Sequence, residues 1–202
     1  MKKITLLIFA FLLFQFTYAQ EDWKLSKDAD GIKVYTRKME GTGFKEIKAV
    51  VEVEASIENC VELFKNASAA TSWVNRMLEY RDLEIVNDSV WYTYGELEIP
   101  WPFTNKDFVA KNTLINKLDS GKSEITISSI PDYFPEQEDK KRIKHSEGKW
   151  IFKRLSNGKV EASHKIFAEA NDFLPPWLVN WVVVGSVHKT FEGFRKEVEQ
   201  YP

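Results

Sequence analysis

The side chains that could do chemistry in this sequence are three histidines, a pair of alternating glutamates and one cysteine. His145, His164 and His188 lie far apart, with no ligand spacing of the kind that builds a zinc helix or finger. No metal set follows from them. Glu96 and Glu98 share one face of a strand. Two carboxylates so placed could act as acid and base, but solvent-facing alternation explains them equally well. Cys60 falls in an apolar helical stripe with Ile57, Val61 and Phe64, which reads as a buried small hydrophobe. No phosphate-cradling loop or nucleophile elbow is present. The sequence therefore names no catalytic residue, metal ligand or cofactor. His164 lies on the apolar face of a strand among Ala162, Ile166 and Ala168, where it is either a satisfied core histidine or a polar contact in an internal site.

Composition narrows the classes. The chain has 202 residues, 28 Lys plus Arg, 30 Asp plus Glu and a formal net charge of -2. That length suits one domain, and the charge balance gives no nucleic-acid footprint. A single cysteine excludes an internal disulfide framework. Aromatics make up 14% of the chain, which favours a packed core over disorder.

The amino terminus has its own logic. Lys2 and Lys3 precede an apolar stretch from Ile4 to Phe14, and Thr17 and Ala19 place small residues at a signal-peptidase spacing. The pattern is that of a secretory signal peptide, residues 1–19, cleaved after Ala19. The apolar core is shorter than the roughly 20 residues of a membrane span. The expectation is one domain over residues 20–202, periplasmic or secreted.

Elements that could position these residues follow from periodicity. Asp30-Gly31 punctuates the chain before a short strand at Ile32–Tyr35. Ile47, Ala49, Val51 and Val53 alternate with charged residues, giving a strand with one wet face. Ser56 caps a helix to Asn66, and a second helical piece covers Ala69 to Val74. Strands are expected over 78–86, 90–99, 106–118, 124–130, 142–154 and 160–170. Asn157-Gly158 is a strong hairpin signal. A long terminal helix begins near Pro176, with Trp177, Trp181, Val184, Phe191 and Val198 on one face and His188 between them. The apolar run Phe173–Val187 reads as a buried helix and not a span. The longest irregular stretch is Pro131–Lys141, with Tyr133 and Phe134 at its tip.

Several ordered motifs resemble the START family of StAR-related lipid-transfer domains. They are Trp23, Asp30-Gly31, Val34-Tyr35 and Arg37; Trp73; Val90-Trp91-Tyr92; Pro100-Trp101-Pro102-Phe103 with Asn105-Lys106-Asp107-Phe108-Val109; Arg142-Ile143 with Gly148-Lys149-Trp150; and Leu174-Pro175-Pro176-Trp177. Together they cover nearly all of the chain after Ala19. Lys106 replaces the family's usual arginine, and Asn171-Asp172-Phe173 lacks a glycine often found there.

The resemblance implies an α+β helix-grip fold, with a curved antiparallel sheet wrapped around a long carboxy-terminal helix. It implies an internal cavity for a lipid, sterol or other hydrophobic small molecule, with no nucleic acid as partner. Trp91, Arg142, His164, Trp177, Trp181 and Val184 are the candidate cavity contacts. Tyr133, Phe134 and Leu178 are candidate gate residues between the irregular loop and the helix front, where transient membrane contact would occur. Trp101, Asp107 and Trp150 are expected to serve the fold. Two other readings remain open: a cyclase- or aromatase-like enzyme on the same scaffold, which needs convergent acid and base groups, and a non-transferring accessory protein whose cavity is filled.

Overall fold

The computed structural model describes residues 23–169 and 176–201. The signal-peptide expectation and the Asn171–Phe173 departure lie outside them.

The chain begins with β1 (Lys24–Ala29), β2 (Ile32–Lys38) and β3 (Lys45–Val53). Asp30 and Gly31 join the first two with φ of 53° and 72°. Paired left-handed residues match the twist of a tight hairpin. β1 was not expected, because Lys24–Ala29 is an exposed edge strand without apolar alternation. In β3 the reading of the sequence holds: Ile47, Ala49, Val51 and Val53 are buried.

Helix α1 (Ile57–Lys65) follows. The Ser56 hydroxyl accepts the Asn59 amide at 3.0 Å and donates to Asn59 Oδ1 at 2.9 Å. One orphan amide of the helix start is thereby satisfied. The side chain at the third position holds the cap hydroxyl and not the cap amide, so the box stays half built. Ile57, Cys60, Val61 and Phe64 form the buried stripe. Burial and nearby Glu58 push the Cys60 thiol up to about 12, so it remains protonated and inert. A 3-10 turn (Ala67–Ala69) leads into α2 (Ala70–Trp73).

The remaining strands are β4 (Met77–Asn87), β5 (Val90–Leu97), β6 (Lys106–Lys117), β7 (Lys122–Ser129), β8 (Lys141–Arg142), β9 (Ser146–Arg154) and β10 (Val160–Ala168), and α3 (Pro176–Val198) ends the fold. The sheet order is β1-β2-β3-β10-β9-β7-β6-β5-β4, with β8 attached to β6. Every pairing is antiparallel except the short parallel β6–β8 contact. Helix α3 packs on β1, β2 and β3 and on α1 and α2. This is the α+β helix-grip architecture that the resemblance implied.

Two details depart from the sequence reading. The single strand expected from Arg142 is split, because β8 follows β6 while β9 pairs with β7 and β10. Trp101 does not pack. It sits in the turn closed by the Phe103 amide on the Pro100 carbonyl, between β5 and β6, and is 91% exposed. Its position outside both strands removes it from the alternation that would have buried it.

Candidate functional site

Strand register fixes which side chains share the inner face. One row across the sheet contains Ala49, His164, Trp150, Ile125 and Leu114. The next row contains Ile47, Ile166, Gly148, Ile127, Asn112 and Trp91. The two rows differ in how they are filled.

The first row closes against an aromatic cluster. Trp150 lies flat on Phe191 at 5.1 Å and on His164 at 4.5 Å, and it meets Phe64, Trp73, Phe152 and Phe194 within 6.0 Å. Trp91 is buried and meets Phe64 edge-on at 6.3 Å. Gly193 lets α3 approach α2, since a Cβ there would stand 2.5 Å from the Trp73 carbonyl oxygen. Asn75 adds two bonds, its amide to Thr190 Oγ1 at 3.1 Å and its Nδ2 to Ser186 Oγ at 2.9 Å. The rear of α3 is thus a packed, latched element.

The second row is looser. Ile127 and Ile166 face inward yet remain partly accessible, as do Val183, Val184 and Val187 on the helix. Those valines lie between Phe191, stacked on Trp150, and Asn180, which accepts the Lys45 amide at the start of β3. They therefore lie along the helix stretch that runs over the Ile47–Ile166 row.

Among the described residues of the sheet's inner face, His164 Nε2 and Asn112 Oδ1 are buried without a hydrogen-bond partner. The Asn112 amide nitrogen is used, donating to Thr93 Oγ1 at 3.1 Å. His164 Nε2 lies over Gly148, where an added Cβ would come within 3.2 Å. Desolvation lowers the His164 pKa to about 3, so the ring is neutral at physiological pH. An orphaned polar atom on a buried apolar wall carries a desolvation cost unless a ligand or water supplies a partner. The arrangement can hold an apolar body and orient one polar group. Asn112 was missed in the sequence, although its place on an apolar strand face is the same signal that singled out His164.

The front of α3 behaves differently from its rear. Trp177, Trp181, Val184, His188, Phe191 and Val198 follow one helical stripe. Phe191, His188 and Val198 are buried, while Trp177 and Trp181 are 71% and 75% exposed. One continuous stripe that passes from buried to exposed means that the helix front overhangs the packed interior. Asn180 is the connection there, accepting from the Lys45 amide at 3.1 Å and donating to the Gly43 carbonyl at 3.3 Å. The side chain of Leu178 lies outside the described set.

Arg142 and the 131–135 loop form a separate unit. The Arg142 guanidinium takes Asp107 with Nε and Nη2, at 2.9 and 2.8 Å. Its remaining N–H groups go to the carbonyls of Pro131, Phe134 and Pro135. All of its donors are used, leaving none for a ligand in this conformation. Tyr133 stacks on Tyr92 at 4.5 Å and Phe134 packs on Tyr94 at 5.3 Å. Tyr92 and Tyr94 alternate with Trp91 and Thr93 along β5, so this loop covers the outer face of the sheet. Of the sequence candidates, the structure brings Arg142, Tyr133 and Phe134 together there. It places His164 and Val184 at the inner face, Trp91 in the aromatic cluster, and Trp177 and Trp181 at the overhang.

The carboxylates have ordinary partners. Glu96 accepts from Asn105 at 3.0 Å and pairs with Lys140 at 3.4 Å, while Glu98 pairs with Arg76 at 3.0 Å. No helix among the described residues is long and apolar enough to cross a membrane.

Known proteins share this arrangement. An uncharacterized protein of Pseudomonas aeruginosa is 29% identical over 180 residues, covering 89% of this chain and 88% of that protein. The phosphatidylcholine transfer protein of Rattus norvegicus is 22% identical over 185 residues, covering 89% of this chain and 85% of that one. The crystal structure of a STAR-related lipid transfer protein from Xanthomonas axonopodis superposes with a TM-score of 0.81 at 30% identity, covering 88% of this chain and 99% of that chain. The START domain family itself matches residues 12–202. With that match running over nearly the whole length and the fold superposing on a 30%-identical relative, this chain belongs to the START domain family.

Proposed function

We propose that this protein is an exported carrier that binds a lipid, sterol or other hydrophobic molecule between the sheet and the front half of α3. The observation that carries the reading is the conjunction at the second row. Inward-facing Ile127, Ile166, Val184 and Val187 stay partly accessible beside the unpartnered His164 Nε2 and Asn112 Oδ1. An apolar ligand gains by leaving water for such a wall, and a few polar atoms set its orientation. A phospholipid is one member of the class, in keeping with the phosphatidylcholine transfer proteins among the relatives.

Access would come at the overhang. Trp177 and Trp181 suit a membrane interface, where the indole body is apolar and its N–H is wet. Export rests on the basic, apolar and small-residue order from Lys2 to Ala19. Export would put the carrier in the periplasm or outside the cell, and intact mass of the native product reads the cleavage.

Organic extraction of the natively purified protein, followed by mass spectrometry, tests the function. One apolar species near equimolar amount is expected. His164→Leu should change which species is retained while leaving the protein folded. A protein that yields no apolar ligand, and binds none from a panel of fluorescent phospholipids, sterols and fatty acids, would instead be an accessory protein with a filled interior.

A further inference from the structure

We propose that Asp30, His188 and Glu192 form a binding site for a divalent transition-metal cation of the zinc class, clasping α3 to the β1–β2 turn. Ligand atoms of the three side chains lie within 4.8 Å of one another. The imidazole decides between a cation site and a chance cluster. His188 is 1% exposed, and its Nε2 lies 3.2 Å from the Ala29 carbonyl oxygen. A carbonyl only accepts, so Nε2 carries the proton and Nδ1 presents a lone pair. Nδ1 is buried, lies 3.4 Å from Glu192 Oε1 and has no hydrogen-bond partner. Two acceptors opposed in this way repel unless a cation lies between them.

The spacing suits a metal. Two ligand atoms each about 2.0–2.1 Å from a tetrahedral zinc are roughly 3.3 Å apart. His188 and Glu192 stand four residues apart on α3, which puts them on one helix face. The Nε2–H to backbone carbonyl bond is the outer-shell contact that orients metal-binding imidazoles. Asp30 supplies the third ligand from the turn, a carboxylate oxygen of it lying within 4.8 Å of the ligand atoms of His188 and Glu192. The turn itself is steadied by Arg195, whose Nη1 donates to the Asp30 carbonyl at 2.7 Å. Asp30 and Glu192 are 63% and 43% exposed, so an ion reaches the site from solvent while the buried imidazole forms its floor. Water completes the coordination.

The test uses the full-length protein, stripped with a chelator and titrated with Zn²⁺ and, separately, Co²⁺. Saturable binding of one ion is expected, with visible Co²⁺ bands of tetrahedral intensity. A thermal shift of roughly 5–10 °C is expected at about a hundredfold excess over Kd. Glu192→Gln and Asp30→Asn change only exposed side chains and should each abolish or strongly weaken both signals while the apo proteins melt like wild type. Two results would overturn the site. One is a wild type that shows no saturable shift and no Co²⁺ bands, in which case a proton alone bridges His188 and Glu192. The other is a shift that survives Glu192→Gln, which would place the ion elsewhere.

Discussion

Arg142 grips Asp107 through two parallel hydrogen bonds of 2.8 and 2.9 Å, and each side chain of the pair is 1% exposed. The same guanidinium binds the three carbonyls of the 131–135 loop, so one cation ties β6, β8 and that loop together. Removing one member of a buried pair leaves an uncompensated charge, which costs about 3–5 kcal/mol. Asp107→Ala should lose that much in urea melts. Hydrogen exchange over residues 131–135 should rise with it. Joint replacement by Asp107→Leu and Arg142→Met should recover part of the loss, because no charge is then left alone.

Trp150 is the hub of the aromatic cluster, stacked between His164 and Phe191. Trp150→Ala opens a void at the centre of the core and should cost about 3–5 kcal/mol. Denaturant melts check this, and near-wild-type stability would contradict the central place of Trp150 in the core.

His164 gives the protein a distinct pH signature. Its folded-state pKa, about 3, lies below the ordinary 6.5 because burial disfavours the charged ring. The unfolded chain therefore binds a proton that the folded chain refuses between those values. Stability from this group is full above about pH 6.5 and falls as pH drops, by up to about 1.4 kcal/mol per pH unit. Between pH 7 and pH 4.5 the wild type should lose about 2–3 kcal/mol more than His164→Leu. Equal losses in the two proteins would mean that His164 titrates normally.

Asn180 is the latch at the helix front, joined to Lys45 and Gly43. Each such bond contributes about 1 kcal/mol net. Together they make about 2 kcal/mol, so Asn180→Ala should raise the open population roughly thirtyfold and speed uptake and release of a fluorescent lipid by a similar factor. Global stability should fall by no more than about the same 2 kcal/mol. Stopped-flow exchange with vesicles reads the rate, and an unchanged rate would put the entrance elsewhere.

Much of the fold was legible because the inner face alternates. Ile47 to Val53 and Val160 to Ile166 carry period-two patterns, and Asn157-Gly158 marks a hairpin between β9 and β10. β1 was not legible, since its pairing depends on the Asp30–Gly31 turn and not on any apolar pattern of its own. His164 could be singled out because a polar residue interrupts an apolar face. The saturation of Arg142 could not, because it takes three carbonyls from a loop with no period. The exposure of Trp177 and Trp181 was equally hidden. A helical stripe shows which way side chains point, but not how far the partner surface extends beneath them.

The unequal fastening of α3 has a mechanical consequence. Behind, Gly193 seats the helix against Trp73 and Phe191 lies on Trp150; in front, Asn180 holds it by two bonds. A rod clamped at one end amplifies small rotations along its free arm. The rear fastening reaches forward to Ser186, so from there to Trp177 the arm is about 14 Å at 1.5 Å per residue, and a pivot of roughly 17° swings the tip by about 4 Å. That displacement is about the width of one acyl chain, reached without unwinding the helix or disturbing the aromatic cluster that anchors it.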